Sequence, residues 1–318
     1  LGGNNNNQLS PAQEYWVNNA SNRDLIPIYT FLSENYCSEE AQNTVLIELE
    51  LKDNSLLLLE IDCNQIEYWQ ALVQHTASQG TVDKIEGLPS SFFNNFEIQP
   101  IDDASGTVVN MDYFGVNVTT LPNNPTTGQQ FTAEEFLDYF RRNINDFTEG
   151  STFEPYCENV TPTICQQETT LWNSLNPLGS IIYIDIPADD GVVVCSKYTN
   201  NYWYFMTMNA PYAGNHPVSG TRQFGFEANT SGGFNFFVRG VDRFESNLQE
   251  NIAYGLTAGN PFSGADDLWS SFQAKMKNFI NNNGGSSSVI TPIKNRADWN
   301  QIYEVLKGER PISDLGCN

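Results

Sequence analysis

The chain has 318 residues, 40% of them hydrophobic and 13% aromatic, enough to bury one large core or two modest ones. It carries 38 Asp and Glu against 15 Lys and Arg, a formal net charge of −23. Phosphate backbones and anionic lipid surfaces both need clustered cations, so neither nucleic acid nor a charged membrane surface is an expected partner.

The charge is uneven. Residues 1–180 hold 25 acids and 5 bases, while residues 181–318 hold 13 and 10. The longest apolar run, Leu56 to Leu59, is far short of the roughly 20 residues of a membrane span, so no integral membrane segment is expected.

In chain order, LGGNNNNQ (1–8) reads as a flexible junction following a linker, a cleavage or a larger upstream region, with no signal-peptide character. Ser10-Pro11-Ala12-Gln13 is a helix start, with Ser as N-cap, Pro in the first turn and Gln completing a capping box. Ser38 precedes Glu39 and Glu40, acids that suit the first turn of a further helix. A third amphipathic piece runs from Ile66 to about Ala77. Residues 9–80 therefore read as a helical region.

Residues 81–318 read as an α+β domain. Short strands are expected at Thr107–Met111 and Gly115–Thr119. Thr132 and Glu135 form a second capping box, opening an amphipathic helix that runs to about Phe147. From Ser180 the hydrophobic period changes to two. Five runs between residues 180 and 244, separated by Gly/Asn/Asp turns, predict an antiparallel meander. A long helix follows from Ala265 to Asn281, then a linker NNNGGSSS and a last helix from about Asp298 to Lys307. A meander followed by a long amphipathic helix also fits a helix-grip arrangement around a ligand cavity, an analogy of fold that assigns no function.

The candidate site is the segment Asn215–Phe244. It holds His216, one of two histidines, and three of the scarce cations, Arg222, Arg239 and Arg243. His216, in a loop before a strand, suits a general base, with Ser219 nearby. A hairpin turning at Ser231–Gly233 is expected to set Arg222 opposite the end of the next strand. There Arg222 and Arg239 would form a fork for an anion unless Asp242 neutralises them. The candidate catalytic set is therefore His216, Ser219, Arg222, Arg239, Asp242 and Arg243.

The pairs Asp102-Asp103, Asp189-Asp190 and Asp266-Asp267 lack metal-ligand spacing and read as turns or a helix first turn. No phosphate loop, nucleophile elbow or metal motif occurs, so neither cofactor nor metal is expected. Of the six cysteines, Cys157 and Cys165 bracket a short loop that suits a local disulfide, and Cys317 would tie down the C-terminus.

Two stretches carry a resemblance. LSPAQEYWVNNASN with IYTFLSENYCSEEAQNTVLIELE resembles the helical segment after the repeats of large secreted bacterial YD-repeat (rearrangement-hotspot-like) proteins. NPLGSIIYIDI, HPVSGTRQFGF, FFVRGVDRF and RPISDLGCN resemble C-terminal domains of such proteins in type IX-secreting bacteria. The resemblance implies an exported C-terminal effector or toxin-type domain, secreted or at the cell surface. Its partners would be protein: the parent shell, the secretion machinery or a cognate immunity protein. The alternatives are a non-catalytic surface-binding module or a cargo component of a secretion machine.

Overall fold

The structure, a computed structural model, describes residues 22–36, 38, 41–42, 44–45, 61–89, 95–186, 189–256 and 260–317. The junction 1–8, the helix start at Ser10 and Cys37 lie outside the described residues. The chain divides into two compact units, Leu1–Ile61 with Pro311–Asn318, and Asp62–Arg310.

In the first unit, helix α1 (Asn22–Glu34) places Leu32 beside Ala41 and Val45 in a small apolar cluster, with Ile28 packed against it. Ser38 Oγ accepts from the Ala41 N–H at 3.2 Å, the side-chain cap expected for the following helix. The C-terminal segment forms a 3-10 turn at Ile312–Leu315, closed by Gly316 at φ 78°.

The second unit is α+β, as the sequence pattern predicts. Its elements in chain order are α2 (Ile66–Val73), α3 (Gln79–Glu86), β1 (Glu97–Ile98), β2 (Val108–Thr120) and α4 (Ala133–Arg142). There follow β3 (Thr152–Pro155), α5 (Pro162–Trp172), β4 (Ile181–Ile186), β5 (Asp189–Tyr198), β6 (Tyr202–Asn209), β7 (Val218–Ala228) and β8 (Phe234–Phe244). The chain continues through α6 (Asn247–Leu256), α7 (Ser263–Asn282), β9 (Ser286–Val289), β10 (Ile293–Asp298) and α8 (Trp299–Leu306).

All strands join one antiparallel sheet in the order β10-β2-β8-β7-β6-β5-β4-β3, with β1 added to β6 and β9 to β2. The expected meander is β4 to β8. Three local expectations are corrected. Thr107–Met111 and Gly115–Thr119 are halves of one 13-residue strand, β2, because Asp112 is buried within the sheet instead of breaking it. Part of the expected linker is strand β9, whose serines pair with the end of β2. The segment after the Cys157 loop is helical, since Thr161 caps α5 and Pro162 occupies its first turn.

The pleat sorts side chains onto two faces. On one face Phe114, Phe224, Phe236 and Trp203 pack under Phe136 and Phe140 of α4 and Trp269, Phe272 and Met276 of α7. On the other, Val192, Val194, Met206 and Met208 pack with Ile85 of α3 and Phe96. The capping box is present: Thr132 Oγ1 accepts from Glu135 N–H, and Glu135 returns the bond to Thr132 N–H.

Cys157 and Cys165 form the expected local disulfide, and Cys63 and Cys317 are disulfide-bonded as well. Cys195 is a free, buried thiol whose pKa burial pushes up to about 12, so it is protonated at pH 7. Among the described residues no helix is long and apolar enough to cross a membrane.

Candidate functional site

The hairpin β7–β8 forms, but its register divides the candidate residues. Arg222 pairs with Gly240 and Gln223 with Arg239, while Gly220 pairs with Asp242 and Ser219 with Arg243. Arg222 and Asp242 therefore lie on the α7 face, and Ser219, Arg239 and Arg243 on the opposite face. The Arg222–Arg239 fork is therefore absent, and the alternative, neutralisation by Asp242, holds for Arg222.

The residues of the opposite face are bonded to neighbouring protein groups. Arg239 is fully buried; its Nε–H donates to Gln65 Oε1 at 2.8 Å and its Nη1 to Gln223 Oε1 at 3.0 Å. The rings of Tyr68 and Phe237 lie 3.9 and 4.4 Å from its guanidinium carbon. Burial lowers its pKa, opposed by Glu227. Arg243 donates to the carbonyls of Gly106 and Ile101 and lies 4.4 Å from the centre of the Trp299 ring. Burial lowers the Arg243 pKa to about 10. Ser219 is buried, 3.5 Å from Gln99 Nε2, and among the described residues it makes no hydrogen bond to the His216 ring.

On the α7 face a cavity of about 550 Å³ lies between the sheet and the start of α7. Its walls are mainly apolar, built from Phe153, Ile184, Val193, Phe205, Phe224, Phe244, Phe262, Leu268 and Trp269. Its polar lining includes His216, Arg222, Asp242 and Thr207, with Glu149 and Asp267 at exposed positions. Thus three of the six candidate residues, His216, Arg222 and Asp242, meet at one cavity, and Ser219, Arg239 and Arg243 do not.

Arg222 is held in a pair of carboxylates. Its Nη1 and Nη2 bond Asp112 Oδ1 and Oδ2 at 2.7 and 2.9 Å, and Nη2 reaches Asp242 Oδ2 at 2.8 Å. Asn110 bridges the two acids through Nδ2, at 2.9 Å to Asp112 and 3.1 Å to Asp242. The Trp269 ring lies 4.8 Å from the guanidinium carbon. Burial works against the Arg222 charge, yet Asp112 and Asp242 more than compensate and hold its pKa above the ordinary value. Burial raises the Asp242 pKa; Arg222 opposes the shift and the Asp112 carboxylate adds to it.

His216 is buried at the other polar position. Its backbone N–H donates to Gln99 Oε1 at 2.6 Å, which anchors the loop. Its Nδ1 lies 2.9 Å from the Val218 carbonyl and 3.2 Å from the Val218 N–H. A neutral imidazole nitrogen makes one of these bonds, and the shorter requires Nδ1–H. Nε2 then carries the lone pair, and it has no hydrogen bond among the described residues. Burial, with a further contribution from Arg222, lowers the His216 pKa to about 4, against the raising effect of the Val218 bond. The ring is neutral at pH 7.

Two glycines make room for these polar groups. A Cβ on Gly240 would sit 2.4 Å from the Arg222 guanidinium carbon, and one on Gly191 would sit 2.6 Å from His216 Nε2. Asp112, Asn110 and Trp269 escaped the sequence reading. The available signals were a glycine inside each of two strand patterns, which marks close approach, and an Asn and an Asp two residues apart in an apolar strand.

Among the described residues no group of three or more metal-ligating side chains occurs. No protein-family model matches the chain, and no curated protein does. Among solved structures it is similar at 12% identity to the di-domain aromatase/cyclase StfQ of the steffimycin biosynthetic pathway, over 57% of this chain and 53% of StfQ, with a TM-score of 0.31. The chain spans about half the length of that protein. It is also similar at 12% identity to an uncharacterised protein from Bacillus thuringiensis, over 54% of this chain and 97% of that one, with a TM-score of 0.26. Likenesses this distant carry no argument about function.

Proposed function

We propose that this is an exported module whose second unit binds a small, mainly apolar molecule between its sheet and α7. The observation that carries the reading is the cavity: about 550 Å³, apolar over most of its wall, with a few polar groups gathered on its floor. That combination is what encloses small ligands in proteins. Disulfide-bonded cysteines support a location outside the reducing cytoplasm. Like the surface-binding alternative it is non-catalytic, but its ligand is a small molecule.

Titration with a neutral fluorescent apolar probe, N-phenyl-1-naphthylamine, tests it. Saturable binding to the full chain is expected, and Ala265→Trp, which places an indole in the cavity wall, should reduce it at least about tenfold. Equal binding by both proteins would place the probe elsewhere and defeat the reading.

The effector reading uses the same cavity, and the unpartnered His216 Nε2 favours it as a base. Expression in a susceptible host separates the two. Growth arrest by the wild type and not by Ala265→Trp supports an effector; harmless expression of both in every compartment counts against it.

A further inference from the structure

The cavity is selective by charge as well as by shape. Its lining contains three acids, Glu149, Asp242 and Asp267, and one base, Arg222. The base is not free, because both Asp112 oxygens and one of Asp242 occupy its fork. The cations nearest this network are committed too: Arg296 and Lys294 pair with Asp266 at 2.8 and 3.2 Å. An anionic ligand would therefore enter a desolvated space that holds more carboxylates than guanidiniums. A cationic ligand would have to leave water for a mainly apolar wall, where Asp242 is already bonded to Arg222 and Asn110, and the remaining acids, Glu149 and Asp267, are exposed and screened by water.

One acceptor of the lining, on His216, has no hydrogen bond among the described residues. The Val218 carbonyl fixes His216 as a donor at Nδ1, so Nε2 carries the lone pair, in a ring that lines the cavity. Gly191 provides the space above the strand in which that ring edge lies. A ligand without a donor would bury this lone pair unpaired, which proteins discriminate against more strongly than they discriminate by one methylene.

We infer that the ligand is a neutral, mainly apolar molecule bearing a hydroxyl, phenolic or alcoholic, that donates its hydrogen to His216 Nε2. This rests on the cavity being a binding site. It adds the ligand class: hydroxylated and uncharged, with carboxylates, phosphates and ammonium compounds rejected.

The test displaces bound N-phenyl-1-naphthylamine from the full chain with four probes sharing one body: hexylbenzene, hexylphenol, hexylbenzoate and hexylbenzylamine. At pH 7 hexylphenol should bind about tenfold tighter than hexylbenzene, the value of one well-made hydrogen bond. The charged pair should bind more weakly than hexylbenzene. In His216→Phe the preference for phenol over benzene, read as a ratio within the variant, should disappear. In Asp242→Asn the rejection of hexylbenzoate should shrink while the phenol preference stays.

A benzoate or benzylamine that binds tightest overturns the inference. So does a phenol preference that is absent, or one that survives in His216→Phe. In all of these the cavity reading stands, because the shared body still displaces the dye. If none of the four displaces it, the cavity reading and the inference fall together. Should His216→Phe fail to fold, the charge arm with Asp242→Asn decides.

Discussion

Arg222 shows how a scarce cation is used in an acidic chain. It faces two carboxylates, is only 13% exposed, and cannot be removed without leaving both buried acids with no cation bonded to them. Arg222→Met should therefore lower unfolding free energy in urea by about 3–5 kcal/mol. Asp242→Asn should cost less, because Arg222 keeps its bidentate bond to Asp112. His216 makes a second residue-level prediction. Its folded pKa, about 4, lies below the unfolded value of 6.5, so as pH falls through that window the unfolded chain takes up the proton first. Stability is lost on acidification, by about 3 kcal/mol for this group once pH is below both values. The raised pKa of Asp242 acts in the opposite sense, and His75, also lowered to about 4 by burial and Lys197, acts in the same sense. The difference between wild type and His216→Phe isolates His216. Urea midpoints measured from pH 7 to pH 4 should fall more steeply for the wild type, and parallel curves would refute the assignment.

At the scale of elements, local chemistry was legible and register was not. The Thr132–Glu135 box was readable because a cap depends on residues three apart, and it begins α4 where expected. Thr132→Ala should cost about 1 kcal/mol in thermal or urea unfolding, through the cap bond alone. The five central strands were readable from their period of two. Which residues of β7 face which residues of β8 was not, because the connection between Ala228 and Phe234 fits more than one turn, and a one-residue slip exchanges the faces. That slip separates the two readings of the hairpin, an Arg222–Arg239 fork and neutralisation by Asp242, and the register gives the second for Arg222. Asp112 could not be foreseen as a partner, since it comes from a strand 110 residues away. Gly240→Ala tests the observed register. Its methyl would displace the Arg222 guanidinium, with an expected loss of about 1–3 kcal/mol, whereas in the alternative register the change would be nearly neutral.

The molecule as a whole carries a net charge of −23, and like charges oppose compaction. Raising salt from near zero to about 0.15 M shortens the screening length to roughly 8 Å, so the melting temperature should rise with sodium chloride and level off. A falling melting temperature would mean that paired charges outweigh the excess. The α+β class was legible from composition and period, and the cavity was not, because a void is defined by side chains from many elements at once. The strand order has a further consequence, in time. Strand β2 sits between β10 and β8, and its register with β8 joins Val109 to Arg243 and Val118 to Phe234. On the ribosome β2 emerges more than a hundred residues before that partner exists. Its buried Met111, Phe114 and Val116 must wait uncovered through the synthesis of β4 to β7. Folding of this unit therefore waits for partners distant in sequence, a high-contact-order route that is expected to be slow.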